Sequence, residues 1–106
     1  MKIKNILSGI PTDIPEEIIE KLISAKNVRI ERIFSKGHSS PKNFWYDQEE
    51  NEWVILIKGK AKLKFFDEDE LIELNEGDYL NIASHKKHRV EWTDTESETI
   101  WLAVFY

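Results

Sequence analysis

Two ionisable residues, Glu52 and His88, stand in apolar runs of the sequence. Alternate side chains of a strand share a face, so Glu52 is expected beside Val54 and His88 beside Val90. If the valines face a core, the carboxylate and the imidazole face it too. A buried carboxylate is costly unless it is paired, hydrogen-bonded or bound to a cation. Because a carboxylate and an imidazole together can exchange protons or coordinate a metal, we take Glu52 and His88 as the candidate catalytic pair.

The composition limits the class of protein and the kinds of partner that can surround this pair. The 106 residues carry a formal net charge of −5 with acidic and basic residues mixed, which fits one domain over residues 1–106 and argues against a nucleic-acid partner. The absence of cysteine excludes disulfides, thiol catalysis and cysteine metal sites. No apolar stretch is long enough for a signal peptide or a membrane span. We therefore expect a cytoplasmic protein with no membrane partner.

One segment near the N-terminus has the pattern of a helix. Asp13 is a suitable cap, and Pro15 would lie in the first turn, where its missing N–H costs little. Ile14, Ile18 and Leu22 recur at four-residue spacing, which is typical of an apolar helix face. The sequence thus predicts one short N-terminal α-helix over about residues 15–25.

The remaining sequence, about residues 28–106, consists of short apolar runs separated by turn residues. The predicted strands cover residues 28–34, 53–57, 61–65, 71–74, 79–82, 88–92 and 100–106. In 61–65, apolar residues alternate with lysines, the period of a strand with one buried face. Several short strands with turns between them are typical of an all-β sandwich or barrel.

Two of these strands are apolar on both faces. They are residues 53–57 and 100–106, which together hold two of the four tryptophans. One face of each can fill a barrel, whereas the other needs a cover larger than one short helix. We therefore expect a homodimer.

The spacing of Glu52 to Gly59 and of Gly77 to His88 resembles the two motifs of the cupin superfamily. The first segment reads E-W-V-I-L-I-K-G and the second reads G-D-Y-L-N-I-A-S-H-K-K-H. The chain is similar to small single-domain cupins with a Trp-Tyr-Asp-Gln … Asn-Glu-Trp-Val signature. The resemblance implies a cupin-type antiparallel β-barrel, which is a jelly-roll-like double-stranded β-helix.

The second motif departs from the superfamily pattern at three positions. Ala83 replaces its proline, His85 its glycine and Trp92 its asparagine. In the first motif, the two histidines that cupins use as metal ligands are absent.

The resemblance also implies a metal site inside the barrel. Glu52 and His88 carry over as ligands, while the two histidine positions fall on Tyr46 and Gln48, or with one more intervening residue on Trp45 and Asp47. Tyr46 and Gln48 share a strand face and are the preferred pair. The expected metal set is His88, Glu52 and Gln48, which would hold iron, manganese, nickel or zinc weakly.

Three further residues bear on this pocket. Trp92 shares the strand face of His88 and is expected to line the pocket. His38 would join as a ligand only if its loop folds over the pocket mouth, and it is otherwise a surface residue. His85 is expected at the exposed rim.

The sequence leaves several functions open. Besides the metal site, the cluster of Glu52, His88, Gln48 and Tyr46 could bind a small organic ligand without metal, with or without an acid/base reaction. A buried pair with no ligand is the third alternative. The sequence also does not determine which strand face carries Arg29, Arg32 or Arg89. An arginine that points inward would hold a ligand carboxylate.

Overall fold

The computed structural model describes residues 1–106 and contains eight strands and no helix. The strands are β1 (Ile18–Ser24), β2 (Arg29–Ser35), β3 (Glu52–Lys58), β4 (Ala61–Phe65), β5 (Leu71–Leu74), β6 (Tyr79–Ile82), β7 (His88–Thr93) and β8 (Thr99–Phe105). The predicted all-β class is confirmed, and the seven predicted strands lie within one residue of their expected bounds. A helix that could cross a lipid bilayer is not among the elements of the fold.

The strands form two sheets in which every pairing is antiparallel. The first sheet has five strands in the order β1-β2-β8-β3-β6, and the second has three in the order β5-β4-β7. Between the sheets lies a core of ten buried residues from β3, β4, β5, β6 and β8. The alternating face of β4 is buried as predicted, with Ala61, Leu63 and Phe65 all in this core.

The helix predicted over residues 15–25 is wrong, because this segment contains β1 at the edge of the five-stranded sheet. β1 pairs with β2 so that Ile18 lies opposite Phe34, and the register shifts between Lys21 and Ile23. A four-residue spacing is an even number, so it fits one face of a strand as well as one face of a helix. The isoleucines of this segment favour a strand, and hydrogen bonding to β2 decides the outcome.

The segment before β1 packs on the outer side of the five-stranded sheet. Ile14 forms a second small core with Phe34 and Ile100. The buried Arg32 guanidinium donates hydrogen bonds to the backbone oxygens of Ile6 (2.8 Å) and Ser8 (2.7 Å), which fastens the N-terminal segment to β2.

Candidate functional site

A cavity of about 290 Å³ opens between the two sheets next to the core. Fifteen residues line it, nine of them hydrophobic. The polar ones come from β2, β3 and β7, from the segment before β1 and from the segment before β3. A largely apolar cavity with a few convergent polar groups is the usual form of a small-molecule site, and this volume is just below the roughly 300–1,000 Å³ that such sites span.

Glu52 at the start of β3 and His88 at the start of β7 meet across the two sheets. Their side chains are 13% and 7% exposed, and His88 Nε2 lies 3.5 Å from Glu52 Oε1. This distance exceeds the usual 2.7–3.2 Å of an N–H···O hydrogen bond, so the contact is a long one that becomes an ion pair when His88 is protonated. Both residues lie where their strand alternation predicts.

Gln48 contacts the same oxygen of the Glu52 carboxylate. Its amide nitrogen donates to Glu52 Oε1 at 3.0 Å, and its backbone oxygen accepts a hydrogen bond from His85 N at 2.8 Å. The carboxylate is therefore fixed in orientation by a neutral donor.

The tautomer of neutral His88 follows from its backbone contact. Nδ1 lies 2.9 Å from the Lys86 carbonyl oxygen, which can only accept, so Nδ1 carries a proton and Nε2 keeps its lone pair. Burial is the largest influence on the pKa of His88 and lowers it, but the Glu52 carboxylate and the Lys86 carbonyl together outweigh burial and raise that pKa above its ordinary value.

Tyr46 covers the imidazole. The Tyr46 and His88 rings stack with centroids 5.5 Å apart and an interplanar angle of 25°. Burial raises the pKa of the Tyr46 phenol, and the charges of Glu17 and Glu52 raise it further. Tyr46 therefore stays a neutral hydroxyl at the edge of the pocket.

Glu17 also lines the pocket, and the sequence reasoning missed it. Its carboxylate accepts a hydrogen bond from Ser35 Oγ at 3.3 Å, and Glu17 as a whole is an exposed residue at the pocket opening. Burial raises the pKa of this carboxyl; Ser35 and His38 lower it in part, while the charge of Glu52 raises it. Strand alternation would have placed Glu17 on the same face as Ile19, which also lines the pocket. The prediction of a helix over this segment excluded that inference.

Arg29 is the arginine that points inward. It lies in the pocket lining, where its guanidinium contacts Glu31 and Glu50, each at 3.0 Å. Arg32 instead fastens the N-terminal segment, and Arg89 donates to the backbone oxygens of Ser40 and Pro41.

Trp92 does not line the pocket, contrary to the prediction. The register between β4 and β7 shifts, because Lys62 lies opposite Trp92 whereas the next residue, Leu63, lies opposite Val90. Glu91 is the extra residue of this bulge, and it turns the following side chain to the other face. Trp92 is 38% exposed, and the Lys62 ammonium lies over its ring, 5.4 Å from the ring centroid.

His38 and His85 also lie outside the pocket. His38 Nδ1 accepts a hydrogen bond from Lys36 N at 2.8 Å, so Nε2 carries the proton and donates it to Pro15 O at 3.1 Å. Both ring nitrogens of His38 are engaged in this arrangement, and His38 is not among the residues that line the pocket. His85 is at the exposed rim, where its Nδ1 donates to Asp47 Oδ1 at 2.7 Å.

The donor set does not fit a resident metal ion. Three or more His, Asp or Glu side chains do not come together anywhere in the chain at metal-binding geometry. Gln48 turns its amide nitrogen, which cannot coordinate a cation, toward Glu52. His88 and Glu52 alone fall short of the roughly three protein ligands that catalytic zinc sites use.

The two packed antiparallel sheets with a pocket between them define a double-stranded β-helix protein. The model of the cupin domain family matches residues 31–105, and this chain belongs to that family.

Solved structures agree with this assignment. A Ralstonia eutropha JMP134 protein, provisionally designated a mannose-6-phosphate isomerase, superimposes with a TM-score of 0.94 at 38% identity, over 99% of this chain and 97% of that one. An RmlC-like cupin from Methanocaldococcus jannaschii has a TM-score of 0.71 at 21% identity, covering 91% and 84% of the two chains. A cupin superfamily protein from Desulfitobacterium hafniense DCB-2 has a TM-score of 0.74 at 18% identity, covering 91% and 82%. The last two show the fold alone.

No curated protein matches the chain in sequence.

Proposed function

We propose that this cupin binds a small polar molecule in the pocket between its sheets and that Glu52 and His88 exchange protons with it. One observation supports the proposal: a nine-tenths buried imidazole lines a cavity, with its Nε2 3.5 Å from a carboxylate that Gln48 holds in place. An imidazole and a carboxylate in contact at the wall of a cavity can pass a proton between themselves and a bound molecule.

The contacts of the pair suit proton transfer. The Lys86 carbonyl fixes the ring so that Nε2 is the basic nitrogen, and Glu52 stabilises the imidazolium once a proton has arrived. The proton would come from an O–H, an N–H or an acidic C–H of the ligand, and it would return from Nε2 to the same or a neighbouring atom. Isomerisation is the simplest reaction of this type.

A second candidate is the aldose–ketose isomerisation that the designation of the Ralstonia eutropha relative suggests. A base that moves a proton between adjacent carbons is what this reaction needs. The charge of the pocket opposes a phosphorylated substrate, because the lining has three carboxylates and Arg29, its one guanidinium, already contacts two carboxylates. An unphosphorylated sugar therefore fits this candidate better than a sugar phosphate.

Ligand screening of the wild type and two pocket variants tests the proposal. Thermal shift is measured with neutral sugars, polyols, carboxylates, amines and sugar phosphates, and each binder is then titrated by calorimetry. Glu52→Gln and His88→Ala are each expected to weaken binding by at least about tenfold. The same probes test turnover, with mannose and mannose 6-phosphate as isomerase substrates.

Two matched variants outside the pocket serve as controls. Glu49→Gln changes an exposed carboxylate close to Glu52 in sequence, and His85→Ala removes the exposed histidine. Both are expected to bind and react like the wild type. If Glu52→Gln and His88→Ala bind every probe as well as these controls do, the pocket assignment is wrong.

We further propose that two copies of the chain pair through the outer face of the five-stranded sheet. Trp53 lies opposite Val104, and Ile55 lies opposite both Leu102 and Tyr79, so these side chains form one continuous apolar patch. Their neighbours along β3 and β8 face the core, which places the patch outside. A second copy is the partner that carries a matching apolar patch by symmetry.

A further inference from the structure

The polar atoms of the pocket accept hydrogen bonds far more than they donate them. Glu17 and Glu52 present carboxylate oxygens, and neutral His88 presents the lone pair of Nε2. On the donor side, Gln48 donates one amide N–H to Glu52, and Arg29 donates to Glu31 and Glu50, while the Tyr46 hydroxyl is the remaining side-chain donor type in the lining. A ligand that satisfies this lining must bring several donors of its own.

The charge balance points the same way. Three glutamates line the cavity, whereas Arg29 is the one lining residue with a permanent positive charge. Arg29 contacts Glu31 inside the lining and Glu50 outside it, so its charge is more than offset. Glu17 and Glu52 are then left without a permanent cation, so both carboxylates would stabilise a cationic ligand in the cavity.

The apolar wall suits a cation as well. Tyr46, Trp101 and Phe105 line the cavity. Arg29 shows how a cation lies against this wall, because its guanidinium carbon is 4.2 Å from the centroid of the Phe105 ring. Aromatic faces attract ammonium and guanidinium groups, most strongly where water is excluded.

The buried imidazole adds a hydrogen-bonding group that is not a carboxylate. His88 is 7% exposed, and its Nε2 lies 3.5 Å from Glu52 Oε1, too far for a good hydrogen bond. An N–H donor placed in the cavity would bond to Nε2 and to a Glu52 oxygen at once.

We propose that the ligand of this pocket is a small organic amine, bound as its ammonium between Glu17 at the opening and the Glu52–His88 pair. The inference rests on the proposed function and names the ligand class. Glu17 is then the residue that selects a charged ligand over a neutral one of the same shape.

Matched probes that differ in charge test this inference on the full chain. Calorimetry compares 1,4-diaminobutane with 1,4-butanediol, and glucosamine with glucose. The amine of at least one pair is expected to bind at least about tenfold more tightly than its neutral partner. Glu17→Gln is expected to reduce amine affinity roughly two- to tenfold and to leave neutral probes unchanged, while Glu49→Gln changes neither.

The outcomes separate this inference from the proposal beneath it. Neutral probes that bind as tightly as the amines, in a manner sensitive to Glu52→Gln, would overturn the amine assignment and leave the binding pocket standing. Amines that bind equally well to Glu17→Gln and to the wild type would also overturn it. If no probe binds at all, both proposals fail.

Discussion

Tyr46 and His88 exchange a pair of backbone hydrogen bonds, from Tyr46 N to His88 O at 2.7 Å and from His88 N to Tyr46 O at 3.1 Å. This isolated bridge ties the segment before β3 to the first residue of β7. The bridge sets which side chains of the segment enter the pocket: Tyr46 and Gln48 line it, whereas Trp45 packs on Phe66 with ring centroids 5.1 Å apart. Asp47 also points away, toward His85.

The first prediction concerns the protonation of His88. The pKa of His88 is expected above the ordinary value of about 6.5, and Glu52→Gln is expected to lower it because burial then acts with less opposition. NMR titration of His88 in the wild type and in Glu52→Gln measures both. A pKa that is the same in wild type and Glu52→Gln would show that the two side chains do not interact.

The same shift has a consequence for stability. A histidine whose pKa is raised by folding stabilises the folded state fully below the unfolded pKa, and this contribution is lost as pH rises through the folded pKa. The unfolding free energy that Glu52→Gln removes should therefore be larger at a pH just below 6.5 than at pH 8.5. Urea unfolding at the two pH values measures the difference.

The second prediction concerns Gly59, which links β3 to β4. Its φ is +96°, and a Cβ there would lie 2.5 Å from Thr99 Oγ1 and 2.7 Å from Thr99 Cα. Gly59→Ala is expected to cost more than the roughly 1–3 kcal/mol of backbone strain alone. Gly77→Ala is the matched control, because Gly77 has a φ of +90° but no atom within 4 Å of the added Cβ. If urea unfolding shows that Gly59→Ala and Gly77→Ala lose the same unfolding free energy, the steric clash with Thr99 does not contribute.

The third prediction concerns the bulge in β7. Because Trp92 lies on the outer face, Trp92→Ala should cost about 1 kcal/mol or less and leave ligand affinity unchanged. Leu63→Ala, in the core beneath it, should cost about 2–5 kcal/mol. A Trp92→Ala variant that loses ligand binding would place the tryptophan in the pocket after all.

The fourth prediction concerns assembly. Light scattering at high micromolar concentration is expected to give the mass of a dimer, and Trp53→Glu is expected to give a monomer because it places a charge in the apolar patch. Phe66→Glu alters another exposed aromatic residue, away from the patch, and should remain dimeric. A wild-type protein that is monomeric under these conditions would disprove the dimer proposal.

The local pattern of the sequence was sufficient for much of this fold. Alternation along β3 and β4 predicted which residues are buried, and it placed Glu52 and, before the bulge of β7, His88 inward, since side-chain direction in a regular strand alternates residue by residue. The shared face of Tyr46 and Gln48 followed from the same rule.

Other features were decided only when the strands came together. Whether residues 18–24 form a helix or a strand depends on β2 as a hydrogen-bonding partner, because their spacing fits both. The bulge that turns Trp92 outward exists only in the pairing of β7 with β4. Glu17 and Arg29 reach the pocket through the packing of an edge strand and its neighbour, a relation between distant segments that no local period encodes.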